Sequence, residues 1–277
     1  YVDHRLNSRS DVLWDEANNK LYIATHLKQE NPSNQNTNPA NWAYMQEYHY
    51  NAGSGTWVPD DNTLGDSDDV ITNYIVESLV IDLDSQNRMW ATYIARENVG
   101  DASEYFVAIS SSHVGDPSSW NAPVLWDSLP GGIGQVASDD ISGLVAFEDA
   151  GGPKVGVLWS NQRLNEFYFS WRNDADPVTT WTIDAEFESL KASLDPISAD
   201  DHMNFAVTPD GDVLAIVKTS ANLNQANEDT LVGIFARDNA DGSWSWHPVS
   251  PSDSFDTRPV VLFNESSNTV SVSYTHL

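Results

Sequence analysis

Five short stretches set carboxylates, bases and amides at the edges of apolar runs. Asp200-Asp201-His202 and Asn204 lead into Phe205-Ala206-Val207, and Lys218-Thr219 follow Val213 to Val217. Arg9 and Asp11 open Val12-Leu13-Trp14, Glu77 opens Leu79-Val80-Ile81, Asp139 and Asp140 precede Leu144-Val145-Ala146-Phe147, and Arg258 precedes Val260-Val261. On the exit side stand His26, Arg96, Trp159 with Asn161, and His276. Three chemistries suit this set. Two carboxylates flanking a glycosidic bond serve as acid and base, about 5–5.5 Å apart for retention or roughly 6.5–9.5 Å for inversion. Asp11 is then the base and Glu77 the acid, with Asp140 or Asp201 holding up the acid's pKa. A lyase would use His202 as base and Arg258 to neutralise a uronate carboxylate. Recognition without turnover needs Trp159 to stack on a sugar ring while Arg9, Asp139, Asn161, Asp201, Asn204, Lys218 and Arg258 take the hydroxyls. Each Asp also has a structural use, because Asp and Ser at strand entries cap the preceding turn through backbone N–H groups.

The elements that would position these residues repeat. Thr208-Pro209-Asp210-Gly211 is turn chemistry between two apolar, β-branched runs. The same hairpin recurs around Glu16 to Asn19, Ser85 to Asn87, Asp149 to Gly152 and Ser266 to Asn268, giving five copies. A second hairpin alternates with it, marked by Trp57, Trp120, Trp181 and Trp244. Helical periodicity is weak, with one short turn expected over 184–192. Four strands repeating about every 60 residues predict an all-β fold, a β-propeller of four-stranded antiparallel blades. About five blades are expected, the last incomplete, or else the chain is a fragment of a larger propeller; residues 1–277 form a single domain. In a propeller every inner strand starts on one face, so the charged entries should converge on one central funnel.

Composition narrows the partners. The net charge is −28 with 41 acidic residues, so nucleic acid, which needs basic patches, is excluded as a partner. No apolar stretch reaches the roughly 18 residues of a membrane helix. There is no Cys, hence no disulfide framework, thiolate metal site or cysteine nucleophile. Asp82 to Asn87 resembles the opening of a calcium loop but lacks its sixth-position Gly and twelfth-position Glu. No cofactor or metal site is therefore expected, although a structural cation such as calcium remains compatible with so acidic a chain. Gly131 to Gly134 lacks the GK[ST] of a phosphate cradle, and neither HExxH nor GxSxG occurs.

The segments NSRSDVLWDEANNKLYIATH, VESLVIDLDSQNRMWAT, SDDISGLVAFEDAGGPKVGVLWSNQ, DDHMNFAVTPDGDVLAIVKTS and DTRPVVLF resemble a group of secreted bacterial β-propeller proteins. More loosely the chain is similar to sialidase-like propellers, although it has neither an intact SxDxGxxW box nor an arginine triad. DDHMN is similar to the DDHN segment of propeller lyases acting on ulvan, and SRSDVLW to the first-blade Asp segment of five-bladed arabinanases and xylosidases. The resemblance implies a secreted, extracellular protein, monomeric or part of a longer chain. The leading expectation is a carbohydrate-directed propeller that binds a glycan at its funnel. The alternatives are a glycosidase or polysaccharide lyase, and a structural or adhesive module of a surface protein.

Overall fold

A computed structural model describes residues 10–26, 43–60, 70–99, 102–126, 132–194, 197–221 and 230–276. The expected repeat is present as five antiparallel sheets in chain order. The first holds β1 (Ser10–Asp15), β2 (Lys20–His26), β3 (Ala43–Asn51), β4 (Thr56–Pro59) and β5 (Val70–Thr72), with β4 and β5 sharing the edge of β3. The second holds β6 (Ile75–Leu83), β7 (Met89–Val99) and β8 (Ala102–His113), whose edge takes the short β9 (Asp116–Trp120), β10 (Val124–Leu125) and β11 (Gln135–Val136). The third is β12 (Ser142–Asp149), β13 (Gly152–Asn161), β14 (Glu166–Asn173) and β15 (Thr182–Ile183). After α1 (Ala185–Ser193) comes the fourth, β16 (Ala199–Val207), β17 (Val213–Thr219), β18 (Thr230–Arg237) and β19 (Trp244–Pro251). The fifth is the hairpin β20 (Asp256–Asn264) and β21 (Thr269–His276). The first strands of the sheets touch in succession, β1 to β6, β12, β16 and β20, as the inner strands of a propeller must.

Side-chain pattern follows position. In β2, Tyr22, Ala24 and His26 are buried and alternate with half-buried Leu21, Ile23 and Thr25. In β13, Lys154 to Asn161 are buried on both faces, because this sheet lies between two others. Blades pack through aromatic layers. Trp90, Ile94 and Trp126 meet Leu144, Val157 and Trp159, and Phe147, Phe167 and Phe169 meet Phe187, Val213 and Phe235. Each such side chain contributes about 1.5–3 kcal/mol when fully buried.

Polar latches tie the inner strands together. Asp11 Oδ2 accepts the Ile81 N–H at 2.8 Å, Asp82 Oδ2 the Ala146 N–H at 2.6 Å, and Asn204 Oδ1 the Val261 N–H at 3.1 Å. Between blades three and four the junction is apolar: the Phe205 ring lies over Gly143, where a Cβ would come within 2.7 Å of it. The turn expected at 208–211 is present, with Gly211 at φ 93° and its N–H on Thr208 O at 2.9 Å. Asp184 caps α1 by accepting the Phe187 N–H at 2.9 Å, with Glu186 and Glu188 in the positive first turn and Lys191 in the last.

Candidate functional site

All five inner strands open on one face, but the side chains there do different things. Arg9 lies outside the described residues. So does the Glu77 side chain, although the Glu77 backbone pairs with Ile94 in β6. Asp139 is exposed in the turn before β12.

At blade three the expected site residues are scaffold. Asp140 is 0% exposed; its carboxylate accepts Ser160 Oγ at 2.7 Å, the Ala137 N–H at 2.6 Å and the Gln162 N–H at 3.1 Å. Burial pushes its pKa up, and these hydrogen bonds work against that rise. Trp159 is also fully buried, donating Nε1–H to Ile133 O and lying against Tyr168 and Trp126, so it has no free face for a sugar. Asn161 donates to Ile133 O and Gln135 O and accepts the Leu164 N–H, which shapes the turn between β13 and β14. A ligand reaches none of the three in this conformation. The physical reason is common: a regular strand end leaves backbone N–H groups unpaired, and a nearby side chain satisfies them.

Asp11 and Asn204 are corrected in the same way. Asp11 pairs across to Ala24 and Asn204 to Ile216, equivalent places in the repeat, and each latches the next blade. Both Asp11 oxygens accept backbone N–H groups, from Val12 and Ile81, so Asp11 is not placed as a free base. Burial raises its pKa.

Blade four differs. Ala199 pairs with Thr219 and Met203 with Val217, so Asp200, Asp201 and His202 together oppose Lys218 in a bulge. The bulge turns these side chains on one another. Lys218 Nζ lies 2.5 Å from Asp200 Oδ2, and His202 Nδ1 lies 2.5 Å from Asp201 Oδ1 and 3.7 Å from Asp200 Oδ1. Asp200, His202 and Lys218 are each 18% exposed and Asp201 29%, so the quartet is open to solvent at its tips. Burial opposes ionisation of Asp200, yet the nearby His202 imidazole, the Asp201 N–H and the Lys218 ammonium hold its carboxyl well below the usual range. Burial likewise opposes charge on His202, and the two carboxylates overcome it and raise the imidazole pKa. The donor atoms of Asp200, Asp201 and His202 lie within 4.8 Å of one another, close enough for one cation, but the Lys218 ammonium already holds Asp200.

Related bulges open β6 and β20. They place Ser78 at φ 52° and Arg258 at φ 52°, backbone conformations that ordinary residues adopt at a cost of about 1–3 kcal/mol. Arg258 is exposed on β20, the inner strand packed beside β16. The sequence places Asp200 in the polar cluster at the hairpin entry and suggests roles for Asp201, His202, Lys218 and Arg258, but none for Asp200, the residue that anchors Lys218. The available signal is three consecutive polar residues where a strand should alternate.

No protein-family model matches the chain, and no curated protein is similar to it in sequence. Solved structures are similar in fold. An α-L-arabinanase of Penicillium chrysogenum in complex with arabinobiose is 12% identical with a TM-score of 0.54, covering 96% of this chain and 75% of that one. An α-L-arabinofuranosidase of Fusarium graminearum, also with arabinobiose, is 14% identical with a TM-score of 0.54, covering 98% and 77%. A lectin of Aleuria aurantia, an N224Q mutant with Fucα1-6GlcNAc, is 12% identical with a TM-score of 0.50, covering 97% and 72%. The chain is a β-propeller like these.

Proposed function

We propose that this propeller binds a glycan at the blade-four rim, through Asp200, Asp201, His202 and Lys218 with Arg258 alongside. The observation that carries the reading is the bulged quartet. Its side chains pair with each other, Asp200 Oδ1 also accepting the Asp201 N–H at 2.6 Å, and they are 18–29% exposed. Carboxylate oxygens accept, and ammonium and imidazolium N–H groups donate, which is the mixed set that vicinal hydroxyls require. The fold neighbours named above, whose structures hold arabinobiose or a fucosylated disaccharide, agree with a carbohydrate-directed role. Recognition is favoured over hydrolysis, because Asp11, Asp82 and Asp140, whose pKa values are raised, are engaged by backbone N–H groups. Work outside the cell, where such polysaccharides are met, is part of the same proposal.

A glycan array probed with the wild type, Lys218→Ala and His202→Ala tests it. At least a tenfold loss of binding is expected in both variants, measured at a temperature where each remains folded. Binding that survives both substitutions, or no binding by the wild type, refutes the proposal. Reducing-end release from any bound polysaccharide then separates a binder from a hydrolase.

A further inference from the structure

A cavity lies on the same face, between blades three and four. Its volume is about 380 Å³, within the usual size of small-ligand clefts. The turn between β13 and β14 supplies Leu164 and Asn165, and the start of β14 supplies Glu166; α1 supplies Glu188 and Lys191; Phe235, fully buried, lies behind the wall. Ile197 and Ser198, also in its wall, run directly into Ala199 and the bulge. Ser220 fastens this approach, donating its N–H to Ser198 O at 2.9 Å and its hydroxyl to Ala199 O at 2.6 Å. At about 3.3 Å per residue, the cavity wall at Ser198 and the ion pairs at Asp200 are neighbours.

The lining selects a ligand. Lys191 Nζ is 3.1 Å from Glu166 and 2.9 Å from Glu188, and it rests 3.9 Å from the centre of the Tyr168 ring. The ammonium is thus held on three sides and its charge is already matched. One of the two carboxylates remains uncompensated, so the cavity repels anions. Half-buried Ile197 gives an apolar floor, with fully buried Phe235 packed behind it, and Leu164, 45% exposed, forms an apolar lip. Carboxylates and the Asn165 amide over an apolar floor suit an uncharged ring with hydroxyls at its edge and C–H groups on its face. Asn161 gains a purpose here: buried itself, it fixes the turn that carries Leu164, Asn165 and Glu166 to the wall.

We infer that this cavity is a subsite for one or two uncharged sugar residues of the glycan whose neighbouring part engages the blade-four rim. The inference rests on the glycan reading above and adds to it the size and charge of the ligand. It requires that longer uncharged oligosaccharides bind more tightly than short ones, and that uronate oligomers gain nothing from length.

The test uses the whole chain and two lengths, dimer and hexamer, of arabinan, xylan, mannan and β-glucan oligosaccharides, with galacturonate dimer and hexamer beside them. Affinities are compared for the wild type, Ala192→Trp, Glu166→Gln with Glu188→Gln, and Lys218→Ala. Ala192 is an exposed helix residue on the cavity wall, so a Trp there fills the space from the helix side. The expected result is a tenfold or greater loss for the favoured uncharged hexamer in both cavity variants, with the dimer unchanged. Hexamer affinity that is insensitive to both cavity variants but lost in Lys218→Ala overturns the subsite and leaves the rim reading standing. Equal tightening of galacturonate with length overturns the charge assignment. No binding of any oligosaccharide by the wild type overturns both.

Discussion

Blades three and four meet the funnel face with the same kind of residue, a buried or half-buried aspartate at the start of the inner strand. Asp140 is sealed against Ala137, Ser160 and Gln162. Asp200 faces Lys218 and His202, beside Asp201. The difference lies in the backbone. At blade three the strand edge is regular and asks for acceptors, so the carboxylate is absorbed. At blade four the bulge supplies three side chains opposite one residue, and they pair with one another and with Lys218, Asp200 taking a single backbone N–H from Asp201. Charge at a strand end therefore says little about function until the register is known.

The sharpest way to break this contrast is Asp140→Ala. It strands two backbone N–H groups and a hydroxyl in a dry site and should cost about 3 kcal/mol, read by chemical denaturation, with glycan affinity unchanged in the folded fraction. An effect on binding larger than the effect on stability would erase the distinction between the rims.

Next is the latch of Asp82. Burial pushes its pKa up to about 6. Above that pH the fold holds a charge in a site where the unfolded chain would leave it in water. Stability should therefore fall as pH rises through the window from about 4 to 6, by on the order of 2 kcal/mol from this group. Asp82→Ala should flatten that part of the pH profile while lowering stability at acid pH; an unaltered profile contradicts the assignment.

Lys218→Met tests the other rim. It leaves Asp200 without its cation and should cost about 1–2 kcal/mol at neutral pH, less than Asp140→Ala. His202 adds a smaller signature. Its folded pKa is raised, so its stabilising effect is complete below the ordinary imidazole pKa and fades as pH climbs through the folded value. The stability gap between wild type and His202→Gln, about 0.5–1 kcal/mol at such a partly wet pair, should accordingly be widest in mild acid and close in alkali. A gap that widens with pH would reverse the proposed pairing.

The smallest effect belongs to Asp11→Asn. The chain itself places an amide at the equivalent position, Asn204, and latches Val261 with it. Within about 0.5 kcal/mol the substitution should be silent in both melting and binding. A lost activity on any polysaccharide would restore Asp11 as a reacting group.

Much of the architecture was legible because it repeats. Period-two apolar runs, the Thr208 to Gly211 turn and the recurring Trp residues identify blades with no knowledge of contacts. The short helix was visible around 184–192 and starts one residue later, with Asp184 as its cap. The site was less legible. Asp140, Trp159 and Asn161 have the composition of a binding site, but burial is a property of the neighbouring blade, not of the strand that carries them. The bulge at Asp200 was hidden for a related reason: register depends on which residue of β17 faces which residue of β16, and one slip reverses every side chain. Asp15, Asp84, Asp174 and Asp184 are likewise buried rather than part of the acidic surface, each accepting backbone N–H groups of a turn or helix start.

The latches between inner strands also set how the molecule comes apart. Among the described residues the main contacts of each blade are with the blades before and after it, so its persistence is chiefly a matter of nearest-neighbour couplings. Blade three is clasped on both sides, and β13 is buried from Lys154 to Asn161. Blade five hangs from β16 by the Asn204 latch and the packing around Val261, and β21 is exposed from Thr269 to His276 save half-buried Val272. Amide hydrogens should then exchange in a gradient, fastest in β21 and slowest in β13. The rim at Asp200 sits one step in from the loosest blade, where local opening of β20 uncovers it without unfolding the rest.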